Sequence, residues 1–362
     1  KTYKGFVRNG ALLDDSKKEQ LRKIDVELAQ LSLEFGEHVL AETNKYELVL
    51  ESEDDLEGLP AYAREQAADT AHNKGYNDAW VITLDYPSYV PFMTYSAKRE
   101  LREKLAKAFA SKAFKGDELD NREIVKKIVS LRNERAQLLG YKTHAHFILE
   151  ERMAESPEKV MDFLEEIEKY GKPGAKRDVE EVAAFAKKVD GLEQLEKWDF
   201  AYYSEKLKKE KYNVDDELLK PYFQLEKVVD GVFQAANKLF GINFTENKEI
   251  DRYHKDVTVY EVKNEAGEDV ATFYADFFPR AGKRAGAWMT SYAGQFKDAD
   301  SNNHRPLVSI VSNFTKPGKT TPSLLTFNEV TTLFHEFGHA LHGMLANGKY
   351  ESLSGTSVFW DF

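Results

Sequence analysis

The chain contains no cysteine, which removes disulfides and every thiolate metal site, so any metal must be held by histidine and carboxylate. It also has no run of 18 apolar residues, which leaves no segment able to cross a membrane as a helix. A basic stripe is missing as well: 51 Lys and Arg face 62 Asp and Glu, and a net charge of −11 repels phosphate backbones. We therefore expect neither nucleic acid nor a membrane as a partner. No Gly-x-Ser-x-Gly elbow and no Gly-rich phosphate loop occurs, so a nucleophile triad and a nucleotide site have no support. Internal repeats are absent too, which excludes solenoids and propellers. The sequence opens KTYKGFVRNG, with neither an initiator Met nor an apolar leader, and stops on ESLSGTSVFWDF without a polar tail. We expect an internal fragment of a longer polypeptide, and the lack of an export signal gives the cytoplasm as the expected location.

The residues that are present describe a folded chain. Hydrophobic residues make up 42% of the 362, with 23 Phe and 18 Tyr to fill a core. From Asp14 to about Asn44, Leu21, Ile24, Leu28, Leu31 and Phe35 recur at spacings of three and four, the signature of one long helix with an Asp14-Asp15-Ser16 start. Residues 45–50 and 79–84 read as short strands, a helix follows Pro60, and the prolines of PSYVPF (87–92) break the pattern. Residues 97–240 read as helical, with boundaries at Gly140, Ser156-Pro157, Pro173-Gly174, Asp190-Gly191 and the cluster 213–216. After Gly241 the texture turns to β: 257–264 and 270–277 form a hairpin pattern and 307–314 a third strand, with a Gly-rich connection between. A last helix begins at a Thr326-x-x-Glu329 capping box and stops at Gly348. The expected division is a helical region over 1–250 and the start of a catalytic region over 251–362.

That last helix carries His335-Glu336-Phe337-Gly338-His339. Positions four apart share a helix face, so His335 and His339 can converge on one metal while Glu336 sits beside them as a base toward its water. Imidazole with carboxylate and no sulfur fits zinc best, with cobalt or manganese able to substitute. His342 lies one turn on, but a metzincin needs Gly at 342 and His at 345, where this chain has His342 and Leu345. His342 reads as a packing or ligand-supporting residue, and His38, His72, His144, His146, His254 and His304 as non-catalytic. The acidic pairs Glu165-Glu166 and Glu180-Glu181 and the basic run Lys206–Lys211 read as solvated helix faces.

With these residues in view, the chain resembles the zinc oligopeptidases of the thimet oligopeptidase, oligopeptidase A and peptidyl-dipeptidase type. The resemblance rests on FHEFGHALHGML (334–345), SLSGTSV (352–358) and Asp361-Phe362, on YADFFPRAGKRAGAW (274–288), on KWDFAYYSEKLKKEKY (197–212) and on 138–164. GFVRNGALL and LDYPSYVPFMTY lean toward the peptidyl-dipeptidase branch, also called dipeptidyl carboxypeptidase. It implies a mainly α, gluzincin-like fold with a small β-sheet beside the motif helix, an oligopeptide substrate, and one zinc ion per intact site. It also implies His335 and His339 as metal ligands, Glu336 as catalytic base, and a third ligand, a Glu, about two positions beyond Phe362. The family's substrate loop likewise lies further on. Asp361 is a candidate to orient a ligating imidazole, the strand from Leu307 to Phe314 a candidate to pair with extended substrate, and Arg280 and Lys283 candidates for the channel or for a structural salt bridge. The implied activity is release of C-terminal dipeptides. The alternatives are an endo-acting oligopeptidase and, for the fragment by itself, an inactive helical scaffold that self-associates through uncovered apolar surface.

Overall fold

The computed structural model describes residues 1–214, 216–318 and 321–362; Asp215 of the expected 213–216 boundary lies outside them. In chain order the elements are α1 (Thr2–Arg8), α2 (Asp15–Lys45), β1 (Leu48–Leu50), α3 (Ala61–Asn73), β2 (Trp80–Ile82), α4 (Tyr86–Tyr95), α5 (Arg99–Ala110), α6 (Arg122–Leu138), α7 (His144–Leu149), α8 (Pro157–Asp190), α9 (Lys197–Tyr212), α10 (Asp216–Leu219) and α11 (Leu225–Phe240). Then come β3 (Asn243–Glu246), β4 (Val257–Lys263), β5 (Asp269–Asp276), β6 (Trp288–Ala293), β7 (Phe296–Lys297), β8 (Asn303–His304), β9 (Leu307–Val311) and α12 (Phe327–Met344). The class is mainly α with small sheets, as the periodicities predict. No helix among the described residues is long and apolar enough to cross a membrane.

Two compact units form, one from Lys1–Tyr46, Ala106–Leu195 and Phe359–Phe362, the other from Glu47–Leu105 and Glu196–Val358. Both draw on non-contiguous segments, so compaction does not follow the chain-order division at 250. What changes near that point is texture, from helices through Phe240 to strands from Asn243.

In the first unit α2 starts where expected, the Asp14 carboxylate accepting from the Lys17 N–H at 2.9 Å. Leu21 and Ile24 are buried, and α2 is tied to α6 by the Asp25–Arg135 pair at 2.7 Å. Ser156 and Pro157 open α8 and Gly191, in the left-handed region at φ 68, closes it. The boundary expected at Pro173-Gly174 is absent, because α8 runs through both residues. A proline inside a helix costs about 3 kcal/mol locally. Here the surface is exposed on both sides, so water satisfies the carbonyl that Pro173 leaves free, and the caps at each end hold the helix together.

The second unit contains the main sheet, five strands in the order β3-β4-β5-β9-β6. The expected strands over 257–264, 270–277 and 307–314 are its three central members. β4 and β5 pair antiparallel from Val257↔Asp276, β5 and β9 parallel from Thr272↔Leu307, and β9 and β6 antiparallel from Trp288↔Val311. Along β5, Ala271, Phe273 and Ala275 alternate inward, as a strand with one core face requires. That face is covered by α11 and α12, whose Val228, Val232, Ala236, Val330, Leu333, Phe337 and Ala340 join the same core. The prolines of 87–92 do not break structure as expected. Pro87 sits in the first turn of α4, where its missing N–H needs no partner, and Pro91 is carried inside the same helix as a buried residue.

Five aromatic rings lock this core: Phe337 lies 6.0 Å from Phe233, 5.7 Å from Phe244 and 5.7 Å from Phe273, while Phe233 stacks on Phe244 at 4.1 Å and meets Tyr260 at 5.0 Å. Truncating the ring of Phe337→Ala removes both its buried area and its ring contacts. The expected loss is about 3–5 kcal/mol, measured by urea unfolding of the chain; a loss under about 1 kcal/mol would place Phe337 outside the core.

Candidate active site

α12 is built to be stiff at both ends. At its start the Thr326 hydroxyl accepts from the Glu329 N–H at 3.1 Å and the Glu329 carboxylate accepts from the Thr326 N–H at 2.8 Å, the predicted capping box. The other oxygen of Glu329 accepts from Thr315 N–H at 2.8 Å, which fixes the incoming loop. At its end the expected stop at Gly348 does not occur; the helix finishes at Met344. The Arg305 guanidinium caps it instead, donating to the carbonyls of Met344 at 2.8 Å and Ala346 at 3.0 Å and, through Nε, to Val270 at 2.6 Å. Burial lowers the pKa of Arg305 from its ordinary value. Gly348 serves the following loop, where its N–H donates to Gln295 at 2.7 Å and its carbonyl accepts from the same amide at 2.9 Å.

Between these ends, α12 presses close to the sheet. A Cβ at Gly343 would lie 2.8 Å from Met289 Cε and 3.2 Å from a Val308 methyl, so only glycine permits this approach without repacking. Leu333, Phe337, Ala340 and Met344 point into the core. His335 and His339 are exposed on the opposite side, with their Nε2 atoms 3.2 Å apart and the rings at 85°. Glu336 lies at the border, 7% exposed, and its carboxylate takes no hydrogen bond from any described residue.

The donor set fits a divalent metal. Two nitrogens bound at about 2.0–2.1 Å in a tetrahedron stand roughly 3.3 Å apart, and the observed separation is 3.2 Å. Among the described residues no group of three His, Cys, Asp or Glu is arranged to hold a metal. Asp361 belongs to the other compact unit, where its carboxylate accepts from the N–H groups of Met153 at 2.9 Å and Ala154 at 3.0 Å; the first of these leads in lowering its pKa.

The remaining candidates have other uses. His342 is exposed. His38 Nδ1 meets Asn121 at 2.9 Å, His146 Nδ1 meets Thr143 at 2.8 Å, and His304 Nε2 meets Asp298 at 2.9 Å. Burial, followed by the charges of Arg132 and Arg135, lowers the pKa of His144. Arg280 and Lys283 form a structural cluster on Asp276, which is 1% exposed at the end of β5. Arg280 grips both carboxylate oxygens at 2.8 Å, Lys283 donates at 2.9 Å, and Tyr253 at 3.0 Å. Burial pushes the Asp276 carboxyl up, but the bonds from Arg280 and Lys283 outweigh it and hold it below the usual range.

The strand expected to meet substrate, 307–314, is wrongly placed to do so, because β9 lies between β5 and β6 and both its edges are paired. The open edge on the α12 side is β6, which falls within what the sequence pattern presents as a Gly-rich connection. Its signal is the alternation of Trp288, Thr290 and Tyr292 with Met289, Ser291 and Ala293, obscured by Gly282, Gly286 and Gly294 around it.

Comparison with known proteins adds to this geometry. The profile of Peptidase family M3 matches residues 92–362. Oligopeptidase A of Escherichia coli is 37% identical over 361 residues, covering 98% of this chain and 53% of its own length. The organellar oligopeptidase A (chloroplastic/mitochondrial) of Arabidopsis thaliana is 39% identical over 372 residues, covering 99% and 47%. Dipeptidyl carboxypeptidase of Escherichia coli is 37% identical over 361 residues, covering 99% and 53%. The chain thus spans about half the length of the curated relatives it matches.

Asp276 also sets a pH dependence. Its folded pKa is lowered, so its stabilising contribution is present above the unfolded value near pH 4 and disappears as pH falls through the folded value. Asp276→Asn leaves the Lys283 ammonium buried without a counter-charge and is expected to cost about 3–5 kcal/mol at pH 7. In denaturant titrations the gap to the native chain should narrow below about pH 4; a gap constant from pH 7 to pH 3 would mean that the carboxylate charge is not what holds the cluster.

Proposed function

The chain belongs to peptidase family M3, and from that premise we propose that it carries half of a zinc-dependent active site that hydrolyses oligopeptides. The observation that carries this reading is the pair of imidazole nitrogens 3.2 Å apart on α12, with Glu336, 7% exposed, on the adjoining flank of the same helix. His335 and His339 would hold the metal, and the resemblance to the zinc oligopeptidases would supply a glutamate as the third ligand. When bound, zinc supplies Lewis-acid polarisation to the scissile carbonyl and to the attacking water. Glu336 accepts the proton of that water on its carboxylate and passes it to the nitrogen of the leaving amine. The open edge of β6 offers N–H and C=O groups to an extended peptide, holding it along α12 by main-chain hydrogen bonds.

Release of C-terminal dipeptides is the finer form of the proposal. Relatives named oligopeptidase A and dipeptidyl carboxypeptidase match at the same 37% identity, so peptides with free and with amidated C-termini separate exo- from endo-acting hydrolysis in the full-length parent.

In that parent, Glu336→Gln keeps both imidazoles and removes the proton acceptor. We expect metal content at the parental level and a kcat lower by about 10²- to 10⁴-fold, read by metal analysis beside a peptide assay; parental turnover would exclude Glu336 as the base. For residues 1–362 by themselves, two imidazoles leave a metal mostly hydrated. Weak zinc binding and no peptide turnover are expected in an equilibrium titration at neutral pH. Tight, stoichiometric zinc with turnover would mean that a carboxylate of this chain supplies the third ligand.

A further inference from the structure

A cavity of about 250 Å³ opens beside the N-terminal half of α12. Tyr86, Pro87 and Val90 of α4 line it, with Ala287 just before β6 and Phe314 just after β9. Asn328 and Thr332 of α12 complete the wall. At 3.6 residues per turn these two positions fall within an arc of about 60° that also holds His335 and His339. Thr332 precedes His335 by roughly 4.5 Å of helix rise. The cavity therefore lies on the imidazole face of α12, one turn upstream.

Most of its polar groups are already engaged. The Thr315 hydroxyl donates to Glu329 at 3.0 Å, the Thr332 hydroxyl donates to the Asn328 carbonyl at 2.9 Å, and Thr326 and Glu329 close the capping box. Asn313 donates to the carbonyls of Arg284 at 3.0 Å and Gly286 at 2.7 Å, which pins the loop that enters β6. What faces the space is mostly carbon, with Tyr86 50% and Val90 45% exposed and the Asn328 amide at the rim. A charged occupant would lose water and find no partner, whereas an apolar one gains from burial. Pockets for drug-sized ligands run to about 300–1,000 Å³, so this smaller one suits a single side chain.

The direction of a bound peptide follows from the packing. Ala287 lines the cavity beside Asn328 and Thr332, and Met289 further along the strand meets Gly343 further along the helix. Strand and helix thus advance in the same sense, with the imidazoles between cavity and Met289. A peptide paired antiparallel to β6, the more stable and commoner pairing, runs its C-terminal side toward Ala287. We propose that this cavity receives the side chain of the residue immediately after the cleaved bond and selects a bulky apolar group there. This rests on the hydrolytic reading above.

The test uses the zinc-loaded full-length parent and quenched peptides that differ only in the residue after the cleaved bond, Ala, Leu or Phe, with cleavage positions read by mass spectrometry. Leu and Phe should exceed Ala in kcat/KM by about 10- to 200-fold. Val90→Trp, which fills the cavity, should abolish that advantage, bringing the Leu and Phe peptides down to the kcat/KM of the Ala peptide. Val90→Ala, which enlarges it without risk to folding, should raise Phe over Leu. Calorimetric binding of the dipeptides Phe-Ala and Ala-Ala to the metal-free parent should follow the same order. Equal losses on all three peptides, an unaltered Phe-to-Leu ratio in Val90→Ala, or a preference that sits before the cleaved bond would overturn the pocket. Absence of turnover on every peptide by the native parent would overturn the hydrolytic reading instead.

Discussion

Burial of the Phe337 ring sets the rotation of α12, and the geometry of the imidazole-bearing face follows from that rotation. Phe337 lies about 180° around the helix from the midpoint of His335 and His339. Once its ring is packed among Phe233, Phe244 and Phe273, the two imidazoles can only face outward. Glu336 falls about 80° from that midpoint, which is why it sits at the border of the core, 7% exposed, rather than in water like its neighbours. The same residue that stabilises the unit thus holds Glu336 at the edge of the core on the flank next to the two nitrogens.

Rotation alone does not fix position along the helix axis, and here buried charge acts where apolar packing has little directionality. Arg305 draws together β5 and the end of α12 through three carbonyls. Asp276 does the same for the segment entering β6, since Lys283 bonds its carboxylate and also the carbonyls of Asp276 and Phe278. Ion pairs taken out of water seldom add much net stability relative to apolar packing. Their directional hydrogen bonds do select one arrangement of helix against edge strand, and the face that carries the two imidazoles is positioned by that selection.

These two levels differ in how far the sequence reveals them. His335, Glu336, His339 and the Thr326–Glu329 box were legible because each depends on spacing within one helix. The β4–β5 hairpin and β9 were legible from β-branched and aromatic runs. The prolines misled in both places where they were read as breaks: Pro91 and Pro173 carry a local penalty that the flanking helix overrides. Gly348 misled for the opposite reason. It is a plausible helix stop, but Arg305, some forty residues upstream, satisfies the terminal carbonyls first. No local pattern announces that Arg280 and Lys283 converge on Asp276, or that β9 is interior and β6 the open edge, because sheet order is decided by non-local pairing.

The placement of the donors also bears on how a metal would be held. Both nitrogens and the base come from five consecutive residues of one helix whose two ends are fixed by hydrogen bonds and whose inner face is fully packed. A metal entering there finds the nitrogens already at 3.2 Å, so little side-chain freedom remains to be lost on binding. The third donor has no such local constraint, and its position relative to α12 must be set by tertiary structure. On the proposed reading, His335, His339 and Glu336 are all placed by α12, and any further donor would have to be placed by tertiary structure.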